Sequence, residues 1–222
     1  MPSNTIIQRR DRALIAFTIL TGMRDSAIAS LKLKHITTSG DTILVLQNPD
    51  EVNTKNSKQI FTYFYPIGDD IKSIAITWIE ELRETLFFSE NDPLFPRTKL
   101  TQDENQIFKT DGIEKILWKT ASPIREIFKR SFIENNLPYF NPHCFRNTLT
   151  HFGQQHCRTP EEFKAWSQNL GHSDPSTTFA SYGQLDPHRQ GEVLKSIKFK
   201  SETNKDSDAE LKILLKNYLD KN

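Results

Sequence analysis

Apolar residues recur at helical spacing over residues 11–22, through Ala13, Leu14, Ala16, Phe17, Ile19 and Leu20, which predicts a helix stopped by Gly22. A second stripe, Ala27, Ile28, Leu31 and Leu33, predicts another helix directly after it, with Arg24 at the junction, where a side chain can project into a cleft. The pattern then changes. Residues 42–46 and 59–65 are rich in β-branched and aromatic side chains and flank a polar stretch containing Asn48, Pro49, Asn53, Asn56 and Ser57, which predicts a small antiparallel sheet. Helical spacing returns over 71–87 through Ile74, Trp78, Ile79 and Leu82, and 91–97 reads as a proline-marked loop.

From Gly112 onward helices are expected to predominate: 113–118, 123–136, a segment after Pro142, 163–170, and one opening at Asp174-Pro175. That pair has helix-start chemistry, because Asp caps free backbone donors and proline suits the first helical position. Tyr182 then falls two turns into the helix or on the loop leading out of it. Residues 201–208 are polar without periodicity and read as a linker. Leu211, Ile213, Leu214, Leu215, Tyr218 and Leu219 beyond it form an amphipathic segment whose apolar face needs a partner.

Composition narrows this picture only a little. A chain of 222 residues, 36% hydrophobic and 26% charged, suits one main soluble domain with appendages. Cys144 and Cys157 are too few for a disulfide scaffold, and no leader pattern or bilayer-length apolar run occurs, so the expected compartment is a reducing cytoplasm without a membrane partner. The net charge of +1 decides nothing about nucleic acid, since phosphate binding depends on where cations lie. Cys144, His151, His156 and Cys157 match the spacing of no zinc module, so neither metal nor cofactor is expected.

Three short stretches carry candidate chemistry. Thr21-Gly22-Met23-Arg24 precedes Ser30-Leu31-Lys32-Leu33-Lys34-His35-Ile36; Pro142-His143-Cys144-Phe145-Arg146 comes much later; Asn169-Leu170-Gly171-His172-Ser173 leads into Thr177-Thr178 and Tyr182. In order, spacing and context these resemble the first arginine box, the His-x-x-Arg box, and the Leu-Gly-His box with its downstream tyrosine of the tyrosine recombinase (phage integrase) family. The expected strand pair between the first two is a further match. The resemblance implies an α+β, mostly helical catalytic domain with a small antiparallel sheet over residues 1–200. Residues 201–222 would be a linker and a carboxy-terminal helix, either exchanged between subunits or folded back on its own domain.

The resemblance also implies a DNA strand-exchange enzyme, acting on double-stranded DNA as a tetramer, nucleoid-associated, without metal or ATP. Arg24 and Arg146 would clamp the scissile phosphate, Tyr182 would attack it, and His143 and His172 would assist. Lys55, at the turn between the strands, would protonate the leaving 5′ oxygen, with Lys58 as runner-up. The physical chemistry suits these assignments. Phosphodiester cleavage without metal needs a nucleophile, an acid and fixed positive charge around the phosphoryl oxygens. Guanidinium forks supply that charge in two-point contacts, and they are needed because a tyrosine hydroxyl, with a pKa of about 10, is a weak nucleophile near neutral pH.

The chain also departs from the family pattern. An acidic residue usually follows the first arginine by three positions, where this chain has Ala27, and Asp25 faces another direction on a helix. The first box opens close to Met1, so the family's amino-terminal DNA-clamping domain is expected to be absent. Further DNA contacts are expected among Lys32, Lys34, Lys119, Arg125, Lys129 and Arg130. Two related functions share the motifs: a type IB topoisomerase, and a DNA-binding regulator without catalysis.

Overall fold

The first helix, α1 (Ile6–Thr21), starts a turn earlier than its apolar stripe because Thr5 and Gln8 cap it reciprocally. The Gln8 N–H donates to Thr5 Oγ1 at 3.2 Å, and the Thr5 N–H donates to Gln8 Oε1 at 3.1 Å. Gly22 closes the helix in the left-handed region, φ 58°, its N–H bonded to Thr18 O at 2.9 Å. The computed structural model describes residues 1–102, 104, 106–172 and 187–196.

The second expected helix is only one turn, α2 (Asp25–Ala29), and the chain then enters a three-stranded antiparallel sheet. Its strands are β1 (Ile36–Ser39), β2 (Thr42–Gln47) and β3 (Ile60–Tyr63), in that spatial order, with Ile36 opposite Val45 and Leu44 opposite Tyr63. Strand β1 has only Ile36 buried, too little apolar pattern to announce itself. Helix α3 (Asp69–Glu80) lies against α1 and runs into a single π-helical turn over Glu81–Thr85.

The expected helix over 113–118 does not form. Residues 97–114 fold instead as a second hairpin, β4 (Arg97–Gln102) with β5 (Phe108–Glu114), placing Ile113 opposite Thr98 and Glu114 opposite Arg97. Cross-strand ion pairs Arg97–Glu114 and Lys99–Asp111 favour that register. Gly112, at φ 82°, takes a backbone conformation no helix interior uses.

Helices α4 (Ser122–Glu134), α5 (Pro142–His156) and α6 (Pro160–Asn169) follow as expected, α6 opening with a Thr159–Glu162 capping box. The principal core joins Leu14 and Phe17 of α1, Ile28 and Leu31, Val45 of β2, Trp78 and Ile79 of α3, and Ile124 and Phe128 of α4. A charged pair is buried on α1: Arg10, 2% exposed, donates to Asp11 Oδ1 at 2.7 Å and to Pro96 O at 2.9 Å. Arg130 of α4 takes the other Asp11 oxygen, so the carboxylate ties α1 to α4.

The backbone forms two units, residues 1–180 and 181–222, and helix α7 (Pro187–Ser196) belongs to the second. The helix expected at Asp174-Pro175, Tyr182, and the segment 201–222 lie outside the described residues. Among the described residues no helix is long and apolar enough to cross a membrane, and no group of His, Cys, Asp or Glu side chains is arranged to hold a metal.

Candidate active site

The site is assembled around the Gly22 turn. A Cβ on Gly22 would meet Leu149 Cδ1 and Leu170 Cδ2, each at 2.8 Å, so the absent side chain lets the turn seat against α5 and the end of α6. Two residues on, Arg24 has extended backbone (φ −70°, ψ 143°) and is half-buried at the start of α2. Its side chain makes no hydrogen bond or ion pair among the described residues, and burial lowers its pKa. Ala27, three residues on, is buried and has no carboxylate to offer. Asp25 looks elsewhere, accepting from Ser26 N–H at 2.9 Å and from Arg125 Nε at 2.7 Å.

On α5, Pro142 starts the helix and His143 and Arg146 fall one turn apart. His143 stands at the rim; Arg146 is 5% exposed. Its Nη1 donates to Gly22 O at 3.1 Å and its Nη2 to Leu170 O, tying the first turn to the last. A guanidinium has five N–H donors, and the other three of Arg146 make no hydrogen bond among the described residues. Burial, and secondly the Arg24 charge, pushes the Arg146 pKa down to about 10, which leaves it cationic near neutral pH.

Helix α6 ends in a paired reversal: Gly171 N–H bonds Gln168 O at 2.7 Å and His172 N–H bonds Ser167 O at 3.2 Å, with Gly171 at φ 73°. A Cβ at Gly171 would lie 2.7 Å from Ile60 Cδ1, so glycine also lets this turn approach β3. Asn169 fastens the two together. Its Oδ1 accepts from Tyr63 N–H at 2.6 Å and its Nδ2 donates to Tyr63 O at 2.9 Å, while Thr62 Oγ1 donates to Asn169 O at 3.2 Å. The turn therefore aims His172 into a cleft of about 450 Å³ between the β2–β3 connection and α6.

Burial first, then the charges of Arg146 and Arg24, pushes the His172 pKa down to about 4; the same causes in the same order lower His143, against a smaller opposing effect of Asp25. Arg24, His143, Arg146 and His172 thus share one electrostatic field. Because the unfolded chain binds a His172 proton at pH below about 6.5 and the folded chain resists it until about 4, stability is present above that window and lost as pH falls through it. Urea unfolding midpoints across this window are expected to fall less steeply with acid in His172→Gln than in the native chain.

The two lysines differ. Lys55 lies on an exposed 3-10 turn (Lys55–Ser57), with no hydrogen bond or ion pair among the described residues, whereas Lys58 lines the His172 cleft. Arg24 and His143 line a second cleft of about 440 Å³ with Asp25, Arg125 and Asn141. The Asp25–Arg125 pair was not foreseeable, since its partners stand 100 residues apart with no motif in common.

A mixed helical domain thus couples two arginines and two histidines in one cationic region, a setting that suits an anionic ligand. The chain belongs to the phage integrase family, whose model matches residues 2–189. Its fold is similar to that of the XerH site-specific recombinase bound to difH substrate in a pre-cleavage complex, with TM-score 0.55, 19% identity, and coverage of 87% of this chain and 48% of that one. It is also similar to XerA recombinase (TM-score 0.52, 17% identity, 90% and 67% covered). A third similar fold is the Tn1549 transposon integrase in complex with a circular intermediate DNA (TM-score 0.50, 17% identity, 83% and 58% covered). The chain therefore spans about half the length of the XerH chain it matches. A search of curated proteins returns no match.

Proposed function

We propose that this protein is a site-specific DNA recombinase that breaks and rejoins strands of double-stranded DNA through a phosphotyrosyl intermediate at Tyr182. The convergence of Arg24, His143, Arg146 and His172 carries the reading. Among the described residues Arg24 makes no side-chain hydrogen bond and Arg146 makes two, to carbonyls, so both have donors to fork onto the scissile phosphate as charge grows there. His172, neutral near pH 7, donates an N–H to a phosphoryl oxygen, and His143 helps remove the Tyr182 proton. The Tyr182 oxygen bonds to phosphorus as the bond to the 5′ oxygen breaks, and that oxygen takes a proton from Lys55, or from Lys58. A 5′ hydroxyl of the partner duplex then attacks the 3′-phosphotyrosine, releasing Tyr182, so the bond energy is kept and no ATP or metal is required. Membership of the phage integrase family supports this, as does likeness in fold to recombinases whose structures contain DNA.

Four copies on two duplexes would complete the exchange, with residues 201–222 bridging neighbours. One observation favours a second reading, a DNA binder without strand cleavage: the residue three positions after Arg24 is the buried Ala27, not a carboxylate. A nicked suicide duplex drawn from a randomised pool, incubated with the full chain in chelator, separates the two. The expected result is a covalent protein–DNA band on a denaturing gel that disappears in Tyr182→Phe. DNA retention without any band would favour the silent binder, and a band that persists in Tyr182→Phe would sink the assigned nucleophile.

A further inference from the structure

The second cleft has two arginines, not one, on its walls. Arg24 and Arg125, the latter from the first turn of α4, both line it, together with Asp25, Asn141 and His143. Among the described residues the Arg125 side chain makes one hydrogen bond, Nε to Asp25 Oδ2 at 2.7 Å. Its two terminal nitrogens make no hydrogen bond among the described residues, and the side chain is 57% exposed against 20% for Asp25. Asp25 is itself fixed by the Ser26 N–H, so the carboxylate is the anchored partner and the guanidinium the movable one.

The other expected DNA-contacting cations are placed differently. Lys34 and Lys32 are drawn to Glu51, at 2.7 and 3.8 Å, and Arg130 is engaged by Asp11. Lys119 and Lys129 line neither cleft. Arg125 alone among them faces the same space as Arg24. A strand carries a phosphate on either side of the scissile one, and phosphate oxygens suit a guanidinium that lines the same cleft as Arg24 and whose terminal nitrogens make no hydrogen bond among the described residues.

We propose that Arg125 binds the backbone phosphate next to the scissile one, and that Asp25 holds it in position beforehand as a competing counter-anion. The inference rests on the recombinase reading above and adds a binding residue to it. It makes the two members of one ion pair act in opposite senses. Without Arg125 a phosphate contact is lost; without the Asp25 charge, the guanidinium is released and a repulsive carboxylate is removed from the path of DNA. A tie that only braced α4 against α2 would respond alike to loss of either partner.

Fluorescence anisotropy with the full chain and a labelled duplex of random sequence, over a series of salt concentrations, tests this. Arg125→Gln is expected to weaken binding about five- to ten-fold at about 0.1 M salt and to reduce the slope of log K against log salt by about one. Arg125→Lys should restore most of the slope, and Asp25→Asn should tighten binding several-fold at low salt. Equal weakening by Arg125→Gln and Asp25→Asn with unchanged slope, or native binding by Arg125→Gln, overturns the proposal. Arg24→Ala is the parallel control: if it too leaves the salt slope of the native chain untouched, the recombinase reading fails and takes this inference with it. An unchanged slope confined to the Arg125 variants sinks the inference alone.

Discussion

Arg146→Lys is expected to slow covalent capture of a suicide duplex by about 100- to 1,000-fold and to lower stability by about 1–3 kcal/mol. Lysine preserves the charge, so a loss of this size would be a loss of shape. The native guanidinium spans Gly22 O and Leu170 O, and its other donors make no hydrogen bond among the described residues. An ammonium on a flexible stem cannot span both carbonyls and a phosphate, and one buried carbonyl goes without a partner. Gel time courses give the rate and urea titration the stability. Native rates with reduced stability would mean that Arg146 braces the site without touching phosphate.

Asp11→Ala is expected to cost about 3–5 kcal/mol, because Arg10 is left charged and buried with no anion beside it. The environment offers little relief. Besides Asp11, Arg10 has the Pro96 carbonyl, the Thr98 hydroxyl at 3.0 Å and the Trp118 ring, its guanidinium carbon 5.4 Å from the centroid. Arg130→Ala removes a half-exposed partner of the same carboxylate and should cost no more than about 1 kcal/mol. The urea midpoints of the two variants give the comparison, and a loss in Asp11→Ala no larger than in Arg130→Ala would show that Arg10 finds water instead.

Residues whose chemistry is local were legible before any fold was in hand. Gly22 ends a helix whichever way the chain folds, and the apolar stripes of α1, α3, α4 and α6 suffice to announce them. The β4–β5 hairpin escaped because much of its apolar surface faces outward: Leu100, Ile107 and Phe108 are more than half exposed, so alternation does not separate an inner face from an outer one. Ile113, Ile116 and Leu117 happen to sit at helical spacing, but the ion pairs that hold this stretch as a strand reach back to Arg97 and Lys99. In the site, Arg24, His143, Arg146 and His172 could be named from their boxes. What each one touches could not, since Gly22, Leu170 and Asp25 meet their partners only through tertiary packing. Choosing between Lys55 and Lys58 depends likewise on which wall of a cleft the turn presents, information that a polar stretch does not contain.

The Asn169 amide has a consequence for the molecule's behaviour in crowded solution. Strand β3 is the outer strand of its sheet, and unpaired backbone along such a strand is a template for another chain. By giving both its donor and its acceptor to Tyr63, Asn169 acts as a one-residue imitation of the next strand and ends the ladder there. The contact that orients His172 thereby guards against edge-to-edge aggregation, and a substitution at Asn169 would put solubility at risk along with the site.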